Sequence, residues 1–305
     1  MARRKGVNIG RRLTVTGTGG IGYQTALALA RAGAEVILAG RDPAKGRASV
    51  DSIRSAVPGA TLRFEVLDLA SLASVAAFGD RIRFDHHRLD LLVNNAGVMT
   101  PPTRRSTADG FELRLGTNYL GHFALTAHLL PLLQQGTNAR VIALSSVAAR
   151  SGQIDFDDLQ AERSYRPMPV YAQSKLACLM FAIELQRRST TNNWGIASIA
   201  AHPGVSRTDL LPNSAGRWDI GRLVRVTLPF LFQPASQGAL PVLFAATSPD
   251  AESGGYYGPD RMGETRGHPM PARVPPQALD PETASRLWDW SEQLTGVSFP
   301  EAAPQ

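Results

Sequence analysis

The chain has 305 residues, 43% hydrophobic and 19% charged, enough to bury a sizeable core as one large α/β domain or two smaller ones. Its net charge of +6 does not mark a nucleic-acid footprint, because three of the 32 basic residues are lysine and the arginines are scattered through every segment. The single cysteine, Cys178, excludes an intrachain disulfide framework and fits a reducing, cytoplasmic setting.

Residues 1–11 hold the one basic cluster and read as a solvated tail. No apolar stretch of the secretory kind follows it, and no run of about 18 apolar residues predicts a membrane span. A β-branched strand over 12–16 then leads into Gly17-Thr-Gly-Gly-Ile-Gly22 and an Ala/Leu-rich helix over 23–32. Strand, glycine loop and helix in that order form the unit that cradles a dinucleotide pyrophosphate on backbone N–H groups, with Gly17, Gly19 and Gly22 fitting G-x-G-x-x-G. A second strand over 35–39 ends in Gly40-Arg41-Asp42. At this distance past the glycine loop an Arg accommodates a ribose 2′-phosphate and an acid bonds a 2′-hydroxyl. Arg41 therefore predicts NADP(H), with NAD(H) through Asp42 as the alternative and an ordinary charged loop as the bland one.

The pattern continues with a helix over 43–57, a strand over 61–67, a helix over 71–84 capped by Ser71, and a strand over 89–93 that runs into Asn94-Asn95-Ala96-Gly97. Helical periodicity spans 106–133, and a strand over 140–144 ends on Ser145-Ser146. Residues 147–168 read as irregular, with Asp155, Asp157 and Asp158 facing solvent rather than holding a metal. A helix carrying Tyr171-Ala-Gln-Ser-Lys175 follows, then a strand over 196–200 and a loop over 202–208. Residues from about 209 to 235, with the apolar segment 223–232, read as a substrate lid; core or dimer packing and interfacial membrane contact are the other uses. A helix over 234–246, a last strand over 255–258, a Pro-rich irregular stretch over 259–279 and a closing helix over 281–294 complete the chain, 259–305 being a C-terminal extension. Strands alternating with helices predict a Rossmann-type α/β fold: a doubly wound parallel sheet with helices on both faces, in a single domain.

Tyr171 and Lys175 are about one helical turn apart and share a face. A phenol exchanges protons poorly at neutral pH, but a neighbouring ammonium favours phenolate and makes the pair suitable for acid–base work. The bland reading is a surface pair.

The glycine loop, Asn94-Asn95-Ala96-Gly97, Asn118, Ser146 and Tyr171 with Lys175 occur in an order that resembles the short-chain dehydrogenase/reductase family from about residue 12 to 208. The stretch from Asp155-Phe-Asp-Asp-Leu to Tyr171-Ala-Gln-Ser-Lys-Leu-Ala177 looks most like its retinol-dehydrogenase-like branch. The resemblance implies that Tyr171 exchanges the proton with a carbonyl or alcohol, Ser146 holds the substrate oxygen, Lys175 lowers the tyrosine pKa and binds the nicotinamide ribose, and Asn118 fixes a relay water. It also implies cofactor contacts from Gly17, Gly19, Gly20, Ile21, Gly22 and Arg41, from Asp68, Leu69, Asn94 and Ala96, and from Pro203, Gly204, Val205 and Thr208, beside Tyr171 and Lys175. A homodimer or homotetramer through the helices near 106–133 and 171–188 is implied as well. One departure stands out: the family loop is usually T-G-x-x-x-G-x-G, and 16–22 is one residue shorter. The expected function is an NADP(H)-dependent carbonyl reductase for a bulky apolar retinoid-like, steroid-like or polyketide substrate, with secondary (antibiotic) metabolism as one setting. An NAD-dependent alcohol dehydrogenase and a non-catalytic dinucleotide sensor are the alternatives.

Overall fold

Apolar runs too short for helices, bounded by turn-forming residues, become the buried strands of a central sheet. The computed structural model describes residues 10–99, 101–206 and 233–301. Its strands are β1 Arg12–Thr16, β2 Glu35–Gly40, β3 Leu62–Val66, β4 Leu91–Asn94, β5 Arg140–Leu144, β6 Ala197–Ala201, β7 Tyr256–Arg261 and β8 Arg266–Pro271. They lie in the order β3-β2-β1-β4-β5-β6-β7-β8, parallel from β3 to β7, with β8 antiparallel at the edge. The order reverses between β1 and β4, and the carboxyl ends of the strands there open the crevice in which such sheets bind ligands.

Helices cover both faces. On one side α1 Gly20–Arg31, α2 Pro43–Ala56 and α6 Leu240–Thr247 pack with Leu13, Val15, Val36 and Leu38 in one core. On the other, α3 Leu72–Asp85, α4 Gly121–Gln134, α5 Pro167–Thr191 and α7 Pro281–Thr295 form a second core. There Trp288 of α7, with 1% of its surface exposed, lies edge-on to Phe123 at 5.0 Å between ring centres, and Phe299 packs on it at 4.6 Å. The C-terminal extension is therefore part of the hydrophobic core. Among the described residues no helix is long and apolar enough to cross a membrane.

Several expectations need correction. Arg11 belongs to the fold rather than to a solvated tail: it donates to the Asn138 carbonyl at 3.0 Å, beside Arg12 of β1, which pairs with Glu35 at 2.8 Å. Residues 106–112 are not the start of a long helix. Ser106 and Glu112 form a bridge, and the buried Glu112 carboxylate accepts from the backbone N–H groups of Arg114 and Leu115, capping a helix that begins there. Leu113 and Arg114 open it, and Leu115–Leu120 is a π-helix that leads into α4. The irregular stretch at 147–168 contains a 3₁₀ turn, Val147–Ser151, and the first turn of α5, whose Pro167 needs no N–H partner at that position. The helix expected over 234–246 breaks into Ala235–Gly238 and α6, because Pro241 cannot donate into a continuous ladder.

The largest correction lies beyond 255. β7 runs on to Arg261, and the Pro-rich stretch after it contains β8, where Pro269 and Pro271 sit opposite Pro259 and Tyr257. Proline is tolerated on an edge strand because outward amides have no ladder to serve. The proposed lid as far as residue 232, with its apolar segment, lies outside the described residues, as do Thr208 and residues 1–9.

Candidate active site

The glycine loop turns the chain from β1 into α1. Gly17 has φ +96° and Gly20 φ +52°, both in the left-handed region that glycine alone adopts cheaply. A Cβ on Gly22 would lie 2.3 Å from the Gly17 carbonyl oxygen and 2.6 Å from Asn95 Nδ2, so no larger residue fits. The first turn of α1 carries no side-chain cap and no acidic residue, which leaves its N–H groups and positive dipole end for an anion. The shortened loop thus retains a cradle of the shape and polarity a dinucleotide pyrophosphate requires. Ile21 and Leu69, both expected at the cofactor, are buried with 5% and 6% exposure and pack into the two cores.

At the end of β2, Gly40 lies against Thr18, whose Cγ2 would be 2.8 Å from a Cβ there. Arg41 is exposed beyond it. Asp42 is engaged locally: its Oδ1 accepts from Ala44 N at 2.9 Å and Lys45 N at 3.1 Å as the N-cap of α2. Those bonds hold the Asp42 carboxyl below its ordinary value. Asp68, after β3, accepts from Ala70 N at 3.0 Å.

The two asparagines at the end of β4 point in different directions. Asn94 is 3% exposed and donates to Thr126 Oγ1 at 3.0 Å inside the core. Asn95, which the family pattern had not singled out, stitches β4 to the glycine loop by donating from Nδ2 to the Thr16 carbonyl at 2.7 Å. Thr16 Oγ1 accepts from the N–H groups of Asn95 and Ala96, each at 2.9 Å. It lies 3.0 Å from His122 Nε2. His122 Nδ1 is 2.9 Å from the Asn118 carbonyl, which can only accept, so Nδ1 carries the proton and Nε2 is an acceptor facing the Thr16 hydroxyl, which also reaches the Val93 carbonyl at 3.3 Å.

Burial, with the Lys175 ammonium adding to it, pushes His122 down to about 4. Below its ordinary value of about 6.5 the unfolded chain takes up a proton that folded His122 refuses, so stability falls as the pH drops across that window. Urea unfolding at pH 7 and pH 5 is expected to show His122→Gln removing about 2 kcal/mol of the acid loss. An unchanged difference between the two pH values would mean that His122 is charged in the fold.

Asn118 sits in the π-helix with its side chain fully used. Its Oδ1 accepts from Val98 N at 2.7 Å, and its Nδ2 donates to the Val98 carbonyl and Ser174 Oγ, each at 3.0 Å. Its backbone carbonyl receives the His122 ring and the buried Cys178 thiol, 3.2 Å away. Cys178 is thus a packed hydrogen-bond donor whose thiol burial pushes up, far from a nucleophile. Gly97 marks how closely the site converges: a Cβ on it would be 3.0 Å from Asn118 Oδ1 and 3.6 Å from Lys175 Nζ.

Lys175 is 6% exposed and donates to the Leu144 carbonyl at 3.0 Å, one of three N–H groups it carries. Tyr171, 8% exposed, stands one turn earlier on α5. Ser146 leaves β5 half-exposed, its Oγ accepting from Ala148 N at 3.2 Å. Ser145 is instead buried and donates to the Lys175 carbonyl at 2.8 Å, fastening β5 to α5. The adjacent serines therefore divide into one structural and one open hydroxyl.

Asp155 and Asp158 order their own loop, Asp158 accepting from the N–H groups of Glu162, Arg163 and Ser164. Among the described residues no group of His, Cys, Asp and Glu is arranged to hold a metal. A staple sequence reading missed closes one wall of the cleft. Arg114, fully buried, donates to the Met99 carbonyl at 2.7 Å, the Pro101 carbonyl at 2.9 Å and the Tyr165 hydroxyl, beside Glu112 at 3.7 Å.

The profile of the family described as short chain dehydrogenase matches residues 12–217. The chain belongs to the short-chain dehydrogenase family. It is an oxidoreductase acting on CH–OH or C=O groups. Among curated relatives of this short-chain dehydrogenase, mouse (Mus musculus) retinol dehydrogenase 13 is 39% identical over 97% of this chain and 86% of its own length. Mouse polyprenol dehydrogenase is 40% identical over 94% of this chain and 84% of its own. A solved structure of an uncharacterised protein from Mycobacterium paratuberculosis superposes with a TM-score of 0.78 at 37% identity, covering 96% of both chains. The resemblance to the retinol-dehydrogenase-like branch is thereby established.

Proposed function

We propose that this dehydrogenase uses NADP(H) to interconvert the carbonyl and alcohol forms of a bulky apolar molecule, with reduction as its main direction. The observation that carries the reading is the convergence at one crevice of an uncapped α1 N-terminus, the open Ser146 hydroxyl, and Tyr171 with Lys175 on one face of α5. Bound there, a nicotinamide dinucleotide supplies or accepts the hydride. Tyr171 gives its proton to the developing alkoxide, and the Ser146 hydroxyl donates to the same oxygen. Lys175, anchored by one N–H to Leu144, keeps two others for its surroundings.

The preference for NADP(H) is supported by the division of labour at 41–42. Asp42 is engaged as a helix cap, whereas the Arg41 guanidinium is exposed at the end of β2. Arg41→Ala is expected to weaken NADPH binding by about 10–100-fold, the value of a charge-assisted contact, and to leave NADH unaltered. Equal losses for both cofactors in a fluorescence titration would remove the 2′-phosphate role.

For the substrate, the relatives named for retinol and polyprenol support a long, apolar alcohol or aldehyde over an aromatic polyketide ketone. The test is a titration with NADPH and NADH followed by turnover of a retinoid aldehyde, a polyprenyl aldehyde, a steroid ketone and a polyketide ketone. Binding of neither cofactor sinks the proposal. Turnover of the polyketide alone would return the protein to secondary metabolism.

A further inference from the structure

The two arms of the crevice meet at one carboxylate. Glu264 lies in the turn between β7 and β8 with φ +67°, a conformation that favours glycine and persists in other residues where their surroundings over-determine it. Both of its oxygens are engaged. Oε2 accepts from Arg150 at 2.6 Å and from His202 Nε2 at 2.9 Å, and Oε1 accepts from Arg273 N at 3.0 Å.

Each partner leads to a different side of the site. Arg150 belongs to the 3₁₀ turn Val147–Ser151 that Ser146 caps, and its other guanidinium nitrogen donates to the Gly263 carbonyl at 3.1 Å. His202 is fully buried and immediately precedes Pro203-Gly204. Gly204 N donates to His202 Nδ1 at 3.3 Å, so the ring proton is on Nε2, directed at Glu264. The imidazole has no room to swing, because a Cβ on Gly258 would be 1.9 Å from Nε2. The same hairpin receives the following residue, Val205 N donating to the Thr265 carbonyl at 2.8 Å.

We infer that Glu264 is a positioning residue that holds the Ser146 hydroxyl and the Pro203-Gly204-Val205 backbone in one register across the crevice. This rests on the roles proposed above for Ser146 and for 203–205. A carboxylate with two oxygens and a fixed backbone suits the task, since a misplacement of about 1 Å at a reacting group costs on the order of 10²-fold in rate. Nothing in the inference requires Glu264 to touch cofactor or substrate.

The test is steady-state kinetics on full-length protein, varying NADPH and a retinoid aldehyde separately. Glu264→Gly removes the carboxylate while giving the turn a residue suited to its φ, so a merely structural role leaves kcat and both KM values unaltered. The inference predicts a fall in kcat/KM of about 10–100-fold with both KM values raised, and partial rescue in Glu264→Gln, which keeps an acceptor oxygen. Each arm can also be cut alone. Arg150→Gln is expected to raise the KM of the aldehyde and His202→Gln that of NADPH, a split that general destabilisation does not produce. These two variants decide the matter if Glu264→Gly fails to fold. Wild-type kinetics in Glu264→Gly, or identical kinetic changes in Arg150→Gln and His202→Gln, would overturn the inference while wild-type turnover upholds the functional reading. A wild-type protein inactive in the same assay would refute that reading and the inference with it.

Discussion

Tyr171→Phe is expected to lower kcat by about 10²–10⁴-fold, the usual contribution of a positioned acid or base, with NADPH affinity retained. The ring stays, so the packing of α5 against β5 and the 3₁₀ turn is preserved, and only the exchangeable proton is lost. Ser146 and Lys175 would still orient a carbonyl, but the alkoxide formed by hydride addition would have no proton donor at hand. The measurement is single-turnover oxidation of NADPH alongside a fluorescence titration of the same variant. A variant that turns over at the wild-type rate would assign the proton to another group. One that no longer binds NADPH would show that the phenol's main task is to hold cofactor.

Arg114→Ala is expected to destabilise the fold by about 3–5 kcal/mol, the range for breaking a buried pair by removing one partner. Arg114 and Glu112 are both fully buried, and burial already pushes the Glu112 carboxyl up. Without the guanidinium, the Met99 carbonyl loses its donor and the Pro101 carbonyl keeps only the Tyr165 hydroxyl, so the wall that follows Gly97 loosens. Urea unfolding should show the loss as a lower midpoint. Combining Arg114→Met with Glu112→Gln should cost less than the sum of the two single changes, because no unpaired charge remains inside. Additive losses, or a change under 1 kcal/mol in Arg114→Ala, would mean that water enters and solvates Glu112.

How legible these features were in the sequence depended on the distance over which the deciding interaction acts. The strands from β1 to β6 were readable because parallel strands covered on both faces must be apolar runs, and Arg12–Thr16 and Arg140–Leu144 fall where the pattern put them. β8 was not, because its prolines signal irregular chain everywhere except at an edge. The start of the helix before α4 was missed because periodicity over 106–112 is indistinguishable from that of a helix, and it is the Glu112 carboxylate that fixes where the helix begins. In the crevice, order and spacing single out Ser146, Tyr171 and Lys175 as the candidates. Asn95, His122 and Arg114 were not legible, since their partners at Thr16, Asn118 with Thr16, and Met99 with Tyr165 come together only in the folded chain. For Asn95 a signal was present in the doubled Asn94-Asn95, where one amide faces the core and its neighbour, on the opposite side of the strand end, faces the loop.

Ser206 and Gln233 lie side by side as a parallel bridge, with Gln233 N donating to the Val205 carbonyl at 3.1 Å. The two stretches of described chain on either side of residues 207–232 are thereby joined at one point. Gln233 Nε2 also reaches the Pro203 carbonyl, so the end of the β6 segment and the chain entering Ala235–Gly238 are clasped together by the described residues alone.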